Sequence, residues 1–67
     1  MNTDVVQGRW NEIRGSVQAN WNKLTDDDLT EIAGRLNELE DHLQNRYGWP
    51  RAEARDSVSS FLRSIKL

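Results

Sequence analysis

The chain predicts a small all-α fold: an antiparallel helical hairpin of residues 4–22 and 26–47, with a third helix, 51–64, packed across it. Two observations predict it. Apolar residues recur at steps of three and four through three successive stretches, which is the period of a helix face. The stretches are separated by Thr25-Asp26-Asp27-Asp28 and Tyr47-Gly48-Trp49-Pro50, which carry the chemistry of helix ends. With 67 residues and no cysteine, the chain has room for one domain, 1–67, and a modest core that no disulfide or thiolate metal site supplements.

In the first helix Val6, Trp10, Ile13, Val17, Trp21 and Leu24 follow one another at four, three, four, four and three. At 100° per residue these side chains fall within a sector of about 80°. Thr3 or Asp4 can cap its start. Gly8 and Gly15 lie almost opposite the stripe, one heptad apart. They leave the helix weak or bent, or they mark an outer strip that another backbone can approach.

The corner is Leu24-Thr25-Asp26-Asp27-Asp28-Leu29. Thr25 is placed to accept from the amide of Asp28, and the Asp28 carboxylate to reach back to the amide of Thr25, as a short capping box. Leu24 and Leu29 flank the cap as a hydrophobic staple, and the three aspartates sit at the positive end of the helix dipole. A calcium loop would instead need alternating oxygen ligands, a glycine turn and a distal bidentate acid. Here Leu29 and Ile32 follow at helical spacing.

The second stripe is Leu29, Ile32, Leu36, Leu39 and Leu43, continued by Tyr47, at coiled-coil-like spacing. It predicts one helix over 26–47, with Gly34 on its polar side. Three mid-helix glycines, none facing the core, imply helices that depend on tertiary or quaternary contacts. Gly48 supplies the left-handed stop, Trp49 can fold back on Leu43 in a Schellman arrangement, and Pro50 opens the next helix. That helix carries Ala54, Val58, Phe61, Leu62 and Ile65 on one face, with Arg63 and Lys66 near its end.

Charge divides the chain into net +1 over residues 1–24, −5 over 25–48 and +2 over 49–67. The acidic middle and the basic ends can complement one another within the molecule. No apolar run approaches a membrane span, and Met1-Asn2-Thr3-Asp4 lacks the basic and apolar regions of a signal peptide, so a soluble cytoplasmic protein is expected.

No residue set predicts catalysis, a cofactor or a metal. His42 is the single histidine and reads as solvated, without the further nitrogen or sulfur ligands a zinc site needs. Ser57, Ser59, Ser60 and Ser64 have neither a glycine elbow nor a base. Glu31, Glu38, Glu40 and Asp41 supply carboxylates without a pocket to raise a pKa. Trp10 and Trp21 lie on the core stripe, whereas Trp49 at a tip is a helix-end clasp or a binding anchor.

Gly8-Arg9-Trp10, Arg14-Gly15, Trp21-Asn22-Lys23-Leu24-Thr25-Asp26-Asp27-Asp28 and Arg46-Tyr47-Gly48-Trp49 together resemble the CsbD-like family of small bacterial stress-response proteins, over about residues 1–58. The resemblance implies a short all-helical bacterial protein, induced under general stress, with no accepted molecular activity and no catalytic residue to carry over. Asn22 stands where that family often has glycine, Pro50 where a serine cap is common, and the end beyond about Val58 is less acidic than usual.

The expected function is a non-enzymatic stress-response protein, a structural or interaction module. It would meet an unknown protein partner, or a second copy, through Gly8 and Gly15 or through Glu31, Glu38 and Asp41. The alternative is a nucleic-acid-binding accessory protein using Arg9, Arg14, Lys23 and the basic third helix. No dense basic stripe supports it, and the third helix carries little net charge for a membrane surface, so neither nucleic acid nor membrane is the expected partner.

Overall fold

The computed structural model describes residues 3–65; the capping side chains considered at Thr3 and Asp4, and Lys66 and Leu67, lie outside what it describes. Most of those residues lie in five helices: α1 (Thr3–Gly8), α2 (Trp10–Asn20), α3 (Asp26–Ile32), α4 (Leu36–Tyr47) and α5 (Arg51–Ser64). The all-α class and the third helix stand as expected, while both long helices of the hairpin are divided.

The first division is a bend. Arg9, at φ −113° and ψ 22°, leaves the helical region, yet its amide still donates to the Val5 carbonyl at 3.0 Å. The bend falls directly after Gly8, where helix propensity is weakest. Val6 before the bend and Trp10, Ile13 and Val17 after it are all buried in the core. α2 stops at Asn20, two residues short of the expected end.

The second division corrects the single helix expected over 26–47. Ala33 adopts φ 50°, its amide donating to the Leu29 carbonyl at 3.0 Å, and Gly34 follows at φ 85°. Two consecutive left-handed residues reverse the chain, so the first turn of α3 lies beside the last turns of α4. Gly34 is buried rather than on a polar side. A Cβ there would meet Gln7 Cα at 2.6 Å, so only glycine lets α1 approach this closely. Size explains why the pattern misleads. An unbroken 22-residue helix would be about 33 Å long, whereas the longest extent of the molecule is 28 Å.

One core joins the five helices. It comprises Val6, Trp10, Ile13, Val17, Trp21, Leu24, Leu29, Ile32, Leu39, Leu43, Ala54, Val58, Phe61 and Leu62, with Leu36, Tyr47, Trp49 and Ile65 partly buried against it. Both core indoles satisfy their N–H groups. Trp10 donates to the Leu29 carbonyl at 3.2 Å and Trp21 to Ser57 Oγ at 3.2 Å, while the Trp21 ring meets Phe61 with centroids 4.9 Å apart. Such tilted aromatic pairs add to the stabilisation from burial alone.

Candidate functional site

The capping box at the corner is formed. Thr25 Oγ1 accepts from the Asp28 amide at 3.2 Å, and Asp28 Oδ2 accepts from the Thr25 amide at 3.0 Å. Leu24 and Leu29 on either side are fully buried, and Gln18 donates to the Leu24 carbonyl at 3.4 Å. Asp26 and Asp27 are exposed, whereas the Asp28 side chain is only 6% exposed.

A buried carboxylate needs several donors, and α4 supplies them. Arg46 straddles Asp28, Nε donating to Oδ2 at 2.8 Å and Nη2 to Oδ1 at 3.1 Å. His42 Nδ1 lies 3.0 Å from Oδ1, and its Nε2 lies 3.5 Å from Glu31 Oε1. His42 is thus held between two acids with 16% of its side chain exposed, a correction to the solvated histidine expected from sequence. The Arg46 hydrogen bonds, opposed by burial and aided by the Thr25 amide and the charges of Arg46 and His42, bring the Asp28 carboxyl down from 3.8 to about 2. Asp28 in turn raises the pKa of Arg46.

The cluster has some of the parts of a reactive site. Donor atoms of Asp28, Glu31 and His42 lie within 4.8 Å of one another, a spacing at which a cation could be held. The guanidinium of Arg46 already occupies both Asp28 oxygens and places a positive charge at that point. The two imidazole nitrogens face different acids, and the described residues enclose no pocket in which a substrate could meet them. The group is an ion clasp between α3 and α4.

At the helix stop, the Gly48 amide donates to the Gln44 carbonyl at 2.8 Å with φ 70°, the single-bond left-handed motif and not the Schellman pair. Trp49 stacks on Tyr47, centroids 4.5 Å apart and planes 18° off parallel. Lys23 Nζ lies 5.0 Å from the Tyr47 ring centroid, and the Lys23 amide donates to the Tyr47 hydroxyl at 3.4 Å. Pro50 precedes α5 with φ −65°, the value its ring imposes.

The residues considered for an interaction surface lie on α1, α2, α3 and α4. Gly8 and Gly15 are exposed with open space at each Cβ position, but the bend at Arg9 separates them. Glu31 is 70% exposed, and Glu38 is half-buried. Asp41 binds Arg51, which also pairs with Glu40 at 3.0 Å, so the acidic middle is partly neutralised by α5. Of the cations considered for nucleic acid, Arg9 pairs with Glu12 at 2.7 Å and Lys23 covers Tyr47.

Sequence reasoning missed His42 and Arg46 as partners of Asp28. Their spacing of four on one helix face was the available signal. It becomes readable only when α3 and α4 are known to double back.

The fold and the clasp define a small helical module, without a pocket among the described residues, in which a buried aspartate and the more exposed Arg46 join two helices. Among the described residues, no helix is long and apolar enough to cross a membrane. The sequence profile of the CsbD-like family matches residues 4–56, and the chain belongs to that family. A UPF0337 protein of Xanthomonas axonopodis pv. citri is 41% identical over 66 residues, covering 98% of this chain and 96% of its own. A UPF0337 protein of Pseudomonas aeruginosa is 41% identical over 61 residues, covering 91% and 94%. The UPF0337 protein YjbJ of Escherichia coli K12 is 41% identical over 58 residues, covering 87% and 84%. These names assign no activity. No solved structure matches the chain significantly.

Proposed function

We propose that the protein is a non-enzymatic interaction module of the bacterial cytoplasm, serving the general stress response through contact with another protein or with a second copy of itself. One observation carries this reading: the groups best arranged for chemistry are consumed inside the fold. Asp28 is held at once by Thr25, His42 and Arg46, without an enclosed pocket among the described residues, while Asp26, Asp27 and Glu31 stand on the outer side of the short helix α3. Exposed carboxylates beside a rigid corner suit recognition of a complementary basic surface and do not suit turnover.

The test is capture from lysate of stressed cells with the wild-type protein and with a triple Asp26→Asn, Asp27→Asn, Glu31→Gln variant. A partner retained by the former and lost by the latter supports the reading. A strictly monomeric protein that captures nothing sinks it. Retardation of labelled DNA or RNA at low salt, lost steeply as salt rises, would move the assignment to the nucleic-acid alternative.

A further inference from the structure

We propose that the reversal at Ala33-Gly34-Arg35 is a hinge through which two copies of this chain exchange their α4–α5 halves, each copy straightening residues 26–47 into one helix. The inference goes beyond the interaction reading above, since it concerns how one copy completes another.

The apolar seam is continuous across the reversal. Leu29, Ile32, Leu36, Leu39, Leu43 and Tyr47 fall at three, four, three, four and four, the pattern of an uninterrupted helix, although the chain turns back between Ile32 and Leu36. The connecting residues do not forbid the straight form. Alanine and arginine are among the best helix formers, proline is absent from 33–35, and Gly34 costs a straight helix only about 1 kcal/mol relative to alanine.

The closed form holds strain at this point. Ala33 is the only non-glycine among the described residues with positive φ, at 50°. Its Cβ is crowded against the backbone there, and helical geometry relieves the crowding. A short connection under strain favours exchange between copies.

The contacts that join the two halves do not depend on which copy supplies them. Asp28 with His42 and Arg46, Trp21 with Ser57 and Phe61, and Lys23 with Tyr47 all cross the hinge, and each can form again between copies. The balance between closed monomer and exchanged dimer then rests mainly on the hinge and on concentration. A straight helix of about 33 Å exceeds the 28 Å extent of the single molecule, so straightening expels α4–α5 from its own copy.

Gly34 holds the closed form in place. Its φ of 85° and the 2.6 Å approach of its Cβ position to Gln7 Cα admit only glycine. An alanine here penalises the reversal and favours the straight helix.

The experiment measures molar mass by light scattering, from micromolar to millimolar chain, for wild type, Gly34→Ala and Ala33→Gly. It is paired with spin labels on cysteines introduced by Asp27→Cys and Asn45→Cys, diluted with unlabelled protein. In the closed chain, Asp28 touches Arg46 and the labels lie close together. In the straight helix, 18 residues at 1.5 Å place their backbone sites about 27 Å apart. The expected result is that Gly34→Ala lowers the dimer dissociation constant by more than about tenfold and shows the long separation, while Ala33→Gly raises it by about tenfold. A Gly34→Ala protein that stays monomeric at millimolar concentration overturns the proposal. So does a dimer with only the short separation, which is a surface dimer and leaves the interaction reading standing. If Gly34→Ala unfolds, wild type and Ala33→Gly are refolded at millimolar concentration. A long-separation dimer that is more abundant in wild type supports the exchange, and equal or absent dimer overturns it.

Discussion

Replacing Asp28 by asparagine removes one charge and keeps the outline of the side chain, so it isolates what the carboxylate does for the fold. The native carboxyl titrates at about 2, against 3.8 for a free aspartate. At about 1.4 kcal/mol per pH unit, that difference is worth about 2 kcal/mol at neutral pH. The sign follows from the direction of the shift. Because the folded value is the lower one, the stabilisation is complete above the unfolded value near 4 and is lost as pH falls through about 2. Asp28→Asn should therefore cost about 2 kcal/mol at pH 7, a large part of the stability a small domain has, and should lower the melting temperature by roughly 10 °C. At pH 2 the gap should shrink below about 0.5 kcal/mol, because the wild-type carboxyl is then half protonated. Urea unfolding followed by tryptophan fluorescence at pH 7, 5, 3.5 and 2 measures it. A gap that is constant from pH 7 to 2, or under about 0.5 kcal/mol at pH 7, would refute the claim that charge in the clasp stabilises the corner.

The remaining predictions concern the glycines and a tryptophan partner. Gly15→Ala, exposed in the interior of α2 with open space at its Cβ, should raise stability by up to about 1 kcal/mol in urea titration. Gly34→Ala, assayed at a concentration where light scattering finds monomer, should cost more than about 2 kcal/mol, from left-handed strain and a backbone clash together. Ser57→Ala leaves the buried Trp21 N–H without its acceptor and should cost about 1–3 kcal/mol, read from the melting temperature.

The Gly15 and Gly34 predictions have opposite signs, and that shows which parts of the structure were legible in the sequence. The periodic apolar residues named the core almost completely, because a helix face must be buried whatever its neighbours are. Thr25, Asp28 and Gly48 marked their helix ends because capping is local chemistry. The reversal at Ala33-Gly34 was hidden, since the seam from Leu29 to Tyr47 keeps its period across the turn and alanine ordinarily continues a helix. What the turn accommodates is the close approach of Gln7, 27 residues earlier, to Gly34, and no local pattern encodes it. The clasp was hidden for the same reason. His42 and Arg46 meet Asp28 only because α4 returns along α3.

The three tryptophans stand in three different settings: Trp10 on the Leu29 carbonyl, Trp21 on Ser57 and Phe61, Trp49 stacked on Tyr47. Each indole therefore reports optically on a different seam: the contact of α2 with α3, the contact of the chain just after α2 with α5, and the α4 stop. Retaining one tryptophan at a time, with phenylalanine at the other two positions, turns the molecule into three separate fluorimeters. Their emission would show the order in which the seams open when the chain is heated, crowded or bound, without an added dye.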